Sequence, residues 1–115
     1  MAAKVAGFST LEYHVLLALA GGPLHGYAIK DAVADESSGT LTPRAGSLYR
    51  VIARLMTSGL VADADAVDSE RHPGHPRKYY DLTARGRGAL AAETSRLKHA
   101  AAMAEKRLGI AQGRS

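Results

Sequence analysis

The sequence feature that most constrains the fold is a short helical stretch that is apolar on every face. Ser9-Thr10-Leu11-Glu12 has the pattern of a capping box, in which the serine hydroxyl and the glutamate carboxylate each accept a backbone N–H of the other residue. The helix that follows runs to about Ala20, and its second half, Val15–Ala20, is wholly apolar. Such a helix must be covered from more than one side. Because a chain of 115 residues buries only a modest core, we expect another subunit to supply the second cover.

Two further helices follow the first. Leu24 to about Glu36 has helical periodicity, and the segment 40–42 is short and extended, a candidate strand. For the third helix we expect Thr42 to cap it, Pro43 to take its first position and Gly59 to follow its end. The spacing of its large apolar residues predicts one core-facing side, made by Leu48, Ile52 and Leu55.

The rest of the chain predicts a hairpin and a long helix. Segments 60–65 and 77–82 alternate as strands around a loop rich in turn-forming residues, and Thr83 can cap a helix from Ala84 towards Leu108. Three helices, a hairpin and a helix are the order of a winged helix-turn-helix, an α+β fold that is mainly α. We therefore expect a winged domain over residues 1–83, then a dimerisation helix and a frayed tail over residues 84–115.

Spacing along the last helix predicts a weak heptad seam for a second copy of the chain. Its members, with two apolar residues of the first helix, are the predicted dimer contacts: Leu11, Val15, Leu90, Leu97, Ala101, Ala104 and Leu108.

The charge distribution favours an anionic partner. The net charge is +4, and no acidic residue lies between Glu36 and Asp63, whereas Arg44, Arg50 and Arg54 all fall in that window. Arg50 and Arg54 are one turn apart without an acid beside them, which is unfavourable unless an anion binds there. Whether Arg54 contacts that partner or binds within the domain is left open.

Several classes of function find no support in the residues. No stretch approaches the length of a membrane helix, no signal peptide is recognisable and there is no cysteine, so we expect a cytoplasmic protein without a membrane partner. No nucleophile has a base and an orienting acid in its sequence context, which argues against an enzyme. His72 and His75 alone do not make a closed metal site, and we expect neither metal nor cofactor.

Four groups of residues, in order, give the chain a family resemblance. They are Leu24-His25-Gly26-Tyr27-Ala28-Ile29; Gly46-Ser47-Leu48-Tyr49; Arg54-Leu55 with Ser58-Gly59-Leu60-Val61; and Arg77-Lys78-Tyr79-Tyr80-Asp81-Leu82-Thr83 with Gly86. Over roughly residues 9–90 the chain resembles the PadR family of transcriptional regulators, in its shorter form with one C-terminal helix. The resemblance implies a sequence-specific homodimer on a pseudo-palindromic double-stranded DNA operator, usually a repressor that releases DNA when a small-molecule effector binds. It also implies that the last helix, assisted by the first, forms the dimer interface.

The resemblance also places the start of the recognition helix at Ser47, Tyr49 and Arg50, and the base of the wing at Arg77 and Lys78. Many members have threonine at position 47 and proline at position 50, so Arg50 adds a charge that can shift operator preference. With no tryptophan in the chain, the aromatic drug-binding pore of some members cannot be assumed.

The predicted DNA contacts combine the basic groups with these family positions. They are Arg44, Ser47, Tyr49, Arg50, Arg54, Arg71, His75, Arg77 and Lys78. Two rival functions stay open: a winged helix that binds protein instead of DNA, and a small-molecule carrier or enzyme that uses the dimer cavity. If an effector exists, we expect it between the first and last helices.

Overall fold

The computed structural model describes residues 7–64 and 78–110, which form four helices and three strands. In chain order these elements are α1 (Thr10–Leu19), β1 (Leu24–His25), α2 (Gly26–Glu36), α3 (Ala45–Thr57), β2 (Val61–Ala64), β3 (Tyr79–Leu82) and α4 (Ala84–Leu108). The strands form one antiparallel sheet in the order β1-β3-β2, with Leu24 opposite Tyr80 and Val61 opposite Leu82. The predicted winged helix arrangement, mainly α with a long last helix, is therefore confirmed.

Local capping signals set three of the helix ends as predicted. Ser9 and Glu12 form the capping box, with the Glu12 N–H donating to Ser9 Oγ at 3.1 Å. Thr83 Oγ1 accepts the Gly86 N–H at 2.9 Å and donates to the Gly59 carbonyl at 2.7 Å, so it ties α4 to the end of α3. Gly59 and Gly109, at φ +79° and +72°, follow α3 and α4 in the left-handed conformation that glycine adopts without strain.

The other boundaries differ from the sequence predictions. α2 begins at Gly26 rather than Leu24, because Leu24 and His25 pair with β3. Segment 40–42 is not a strand. The cap residue of α3 is Arg44, which makes no side-chain capping hydrogen bond, so Thr42 and Pro43 lie before the helix rather than at its start.

The apolar first helix is covered by its own chain. Val15, Leu16 and Leu19 have no exposed surface, because α1 is packed against α2, α3, α4 and β3 together. The expectation that a second subunit covers this helix is therefore wrong, and Val15 has no surface left for a dimer contact.

α3 and α4 enter the same core. Leu48, Ile52 and Leu55 are buried as their spacing predicts, and Val51 joins them. Leu90 of α4 also belongs to this core, so the proposed division at residues 83/84 falls within one packed unit. Within the described ranges, no helix is long and apolar enough to cross a membrane.

Candidate nucleic-acid interface

α3 has one side in the core and one side in solvent. The exposed side carries Tyr49, 46% exposed, and the exposed Arg50, with Arg44 directly before the helix. No residue of α3 is acidic, and within residues 7–64 and 78–110 no carboxylate pairs with Arg44 or Arg50. Ser47 lies half-buried in the first turn. This side of α3 can therefore receive an anionic partner without first breaking an ion pair.

Arg54 is different, because an acidic residue from another helix reaches it. Its Nε donates to Glu12 Oε2 at 3.2 Å, and Glu12 Oε1 also accepts the Ser9 N–H of the capping box at 2.8 Å. The expectation that Arg54 has no acid beside it is wrong, since the partner lies 42 residues away in the sequence. Arg54 binds the domain internally, one of the two roles left open for it.

Tyr49 lies directly against the start of α2. A Cβ at Gly26 would overlap the Tyr49 hydroxyl and ring, so only glycine lets the aromatic ring approach this closely. His25 caps the same helix, accepting the Ala28 N–H through Nδ1 at 3.1 Å, and its ring packs edge-on against Tyr79. The predicted structural role of His25 is confirmed, and it holds the α2 N-terminus in place beneath Tyr49.

A cavity of about 430 Å³ opens between the start of α2, the start of α3 and the start of β3. Ala45, Leu48 and the aromatic rings of Tyr49 and Tyr80 give it an apolar wall. Burial raises the pKa of Tyr80, the largest of several influences that include Tyr49, so its hydroxyl stays protonated and can donate a hydrogen bond.

Two residues of this cavity were not among the predicted contacts. Tyr27, 62% exposed, and Lys30 lie one turn apart on α2, and Lys30 Nζ is 5.5 Å from the Tyr27 ring centroid. The i, i+3 spacing places them on one side of α2, but the sequence alone did not connect that side with Tyr49.

Lys78, which was predicted, lies at the other wall of the cavity. Its Nζ is 3.4 Å from Asp63 Oδ1 on the neighbouring strand, and both side chains are more than half exposed. An exposed pair of this kind is weak, so Lys78 can exchange this carboxylate for another anion at little cost.

Comparison with known proteins identifies the family. A family model described as "Transcriptional regulator PadR-like family" matches residues 15–92. The chain belongs to the PadR-like family of transcriptional regulators. That family resemblance was predicted from the motifs, and it is confirmed.

Solved structures of PadR-like regulators share the fold. A PadR-like transcription factor from Bacteroides fragilis is 30% identical with a TM-score of 0.66, over 88% of this chain and 89% of that one. A PadR family regulator from Clostridium difficile R20291 has a TM-score of 0.71 at 20% identity, over 87% and 99%. Bacillus subtilis PadR, crystallised with operator DNA, has a TM-score of 0.60 at 23% identity, over 73% and 46%.

A curated relative matches a shorter part of the chain. A 37.1 kDa protein in transposon TN4556 of Streptomyces fradiae is 47% identical over 57 residues, which is 50% of this chain. The matching region spans only 16% of that protein's length.

The predicted dimer contacts of this PadR-like chain fall into two sets. Val15 and Leu90 are buried in the chain's own core, and Leu11 is partly buried against it, so the prediction fails for Val15 and has little surface to act through at Leu90. The other members lie along the second half of α4 and are exposed: Leu97, Ala101, Ala104 and Leu108.

Two further features bear on the sequence predictions. Arg71, His72, His75 and Arg77 lie outside the described residues. The seam between α1 and α4, where an effector was expected, is bridged by the Tyr13 and Thr94 hydroxyls, 2.7 Å apart. The 430 Å³ cavity lies elsewhere, between α2, α3 and β3.

Proposed function

We propose that this PadR-like regulator binds double-stranded DNA sequence-specifically through α3. The observation that carries the proposal is the exposed side of α3, where Tyr49 and Arg50 stand free of any described carboxylate. A guanidinium can bind guanine O6 and N7 or phosphate oxygens bidentately, and a helix of this size fits the major groove. Bacillus subtilis PadR, which has the same fold, was crystallised with operator DNA, and this likeness supports the proposal.

We propose further that two copies act together on a pseudo-palindromic operator. The support is the second half of α4, where Leu97 is 38% and Leu108 71% exposed in the single chain. Ala101 and Ala104 lie between them at heptad spacing, and small residues at such a seam let two helices approach closely. A dimer of this kind would place its recognition helices about 34 Å apart, in successive major grooves.

The test is fluorescence anisotropy with a labelled copy of the gene's own upstream region, titrated with protein at several salt concentrations. We expect tight, sequence-dependent binding by two chains per site, with an affinity that falls steeply with salt. Arg50→Ala should cost about 1–3 kcal/mol on the operator. Arg107→Ala, the same change of charge in the last turn of α4, is the matched control and should leave the affinity unchanged.

Two results would count against these proposals. Weak binding that is equal on every sequence would leave only a basic surface, and a protein-interaction module would replace the DNA-binding function. Leu97→Glu tests the dimer, because burying a charge at the seam should shift the protein to monomers in analytical ultracentrifugation. A variant as dimeric as the parent would place the interface elsewhere.

The regulatory direction follows from the family resemblance and is part of the proposal. We propose a repressor that releases the operator when a small-molecule effector binds. Transcription in vitro from the gene's own promoter should fall as the protein is added. Since α1 and α4 already contact each other within one chain, an effector near this seam would bind where the two chains meet. Higher transcription with added protein would instead identify an activator.

A further inference from the structure

The inference concerns the cavity between α2, α3 and β3, and it rests on the proposed DNA-binding function. We infer that this cavity receives one sugar–phosphate unit of the DNA strand, with the phosphate between Lys30 and Lys78 and the deoxyribose against the tyrosine rings. Neither the family match nor the likeness to other structures assigns this role to any residue.

The charges of the lining favour an anion. Lys30 and Lys78 stand on different elements at the cavity, and its lining residues include no aspartate or glutamate. The Lys30 ammonium is near the face of Tyr27, and Lys78 has only an exposed carboxylate, Asp63, as its partner. Both amines are therefore able to turn towards a phosphate group without leaving a buried charge behind.

The remaining surface fits the sugar of the same unit. A deoxyribose has an apolar face, and the cavity wall is made of aromatic rings and of Ala45 and Leu48. The hydroxyls of Tyr27 and Tyr49, both on exposed side chains, can donate to phosphate oxygens. Contacts to phosphate and sugar fix the register of a protein on the duplex without reading its sequence.

The position of the cavity selects DNA as the occupant. Tyr49 lines the cavity, and the next residue, Arg50, is on the exposed side of α3 that we propose enters the major groove. A strand whose bases meet α3 must carry its backbone past the rim of that groove. The cavity is at the start of α3, beside this path, and its 430 Å³ has room for a sugar–phosphate unit.

The test combines protein variants with modified DNA. The double variant Lys30→Gln/Lys78→Gln should lower the slope of log affinity against log salt by about 0.9 for each half-site phosphate released, a loss of about eightfold per phosphate near about 0.1 M salt that disappears near about 1 M. The factor should be the same on operator and random duplex, because no base is read. Lys106→Gln, in the last turn of α4, is the matched control and should keep the parent slope.

Neutral methylphosphonate linkages then locate the phosphate. When they are placed one at a time along a half-site, one linkage should weaken binding of the parent protein but not of the double variant, as a double-mutant cycle requires for a direct contact. An unchanged slope in the variant, or equal losses in parent and variant at every linkage, would overturn the inference. If the parent still bound the operator in that case, the DNA-binding proposal would stand and the cavity would be left for a small ligand.

Discussion

α4 begins so close to the chain in front of β2 that position 86 has no room for a side chain. A Cβ on Gly86 would overlap the Leu60 carbonyl oxygen and lie 3.2 Å from Leu82 Cδ2. The carbonyl cannot move freely, because it accepts the Thr83 N–H at 3.1 Å. Gly86→Ala must therefore displace the start of α4 from the sheet, and overpacking of this kind costs about 1–3 kcal/mol.

A neighbouring glycine provides the matched control. Gly88 is in the same helix and no atom lies within 4 Å of the Cβ it would carry. There only the helix propensity acts, and alanine should stabilise by about 0.5–1 kcal/mol relative to glycine. The same gain applies at position 86, so the net loss for Gly86→Ala is about 1–2 kcal/mol, with the cost taken from the upper part of its range because the obstacle is backbone.

The assay is thermal unfolding of the parent and both variants at one protein concentration, since association makes the Tm depend on concentration. For 115 residues, a change of 1 kcal/mol corresponds to about 4 °C. We expect the Tm of Gly86→Ala to fall by about 4–8 °C and that of Gly88→Ala to rise by about 2–4 °C. If both variants were stabilised alike, the close approach of α4 to Leu60 would be refuted.

Three further substitutions have outcomes that the structure fixes in direction. Thr83→Ala should lower the free energy of unfolding by about 1–2 kcal/mol through loss of the α4 cap, measured by urea denaturation, and Thr83→Ser should restore most of it. The hydrogen bond from Arg96 lowers the pKa of Glu93 below 4.5, so the ionised carboxylate stabilises the fold at neutral pH and this contribution is lost as the pH falls below 4.5. Glu93→Gln should therefore flatten the acid side of a stability–pH curve, and a variant curve parallel to the parent's would contradict this. Gly26→Ala should push the half-exposed Tyr49 ring aside, leaving the Tm almost unchanged but weakening operator binding about two- to tenfold; equal affinity in an anisotropy titration would exclude a role for the Tyr49 position.

The predictions that succeeded depend on residues close together in the sequence. Ser9 with Glu12 and Thr83 with Gly86 are three residues apart, and a cap needs nothing else. Gly59 ends α3 for an equally local reason, its left-handed conformation. Local signals of this kind fix the order of the elements, and that order determines the winged helix fold.

The predictions that failed depend on residues far apart. β1 has only two residues, and it is a strand only because Tyr79 and Tyr80 pair with it from more than fifty positions away. The Glu12–Arg54 pair joins α1 to α3, so a charge count along α3 could not find it. The cavity, too, is made by three elements that the sequence separates, and for this reason Tyr27 and Lys30 were missed as candidate contacts.

The seam along α4 shows what periodicity can and cannot determine. Gly86, Leu90 and Glu93 are buried at helical spacing by the chain's own elements, and Leu97 and Leu108 continue the apolar spacing into solvent. A repeat of apolar residues states that one side of the helix must be covered, but it does not identify the covering chain. In this protein the first three turns are covered from within and the rest is open. One helix therefore fixes the winged domain at its start and is available to a second copy at its end, so a shift at Gly86 would be carried along α4 to the spacing of the two recognition helices.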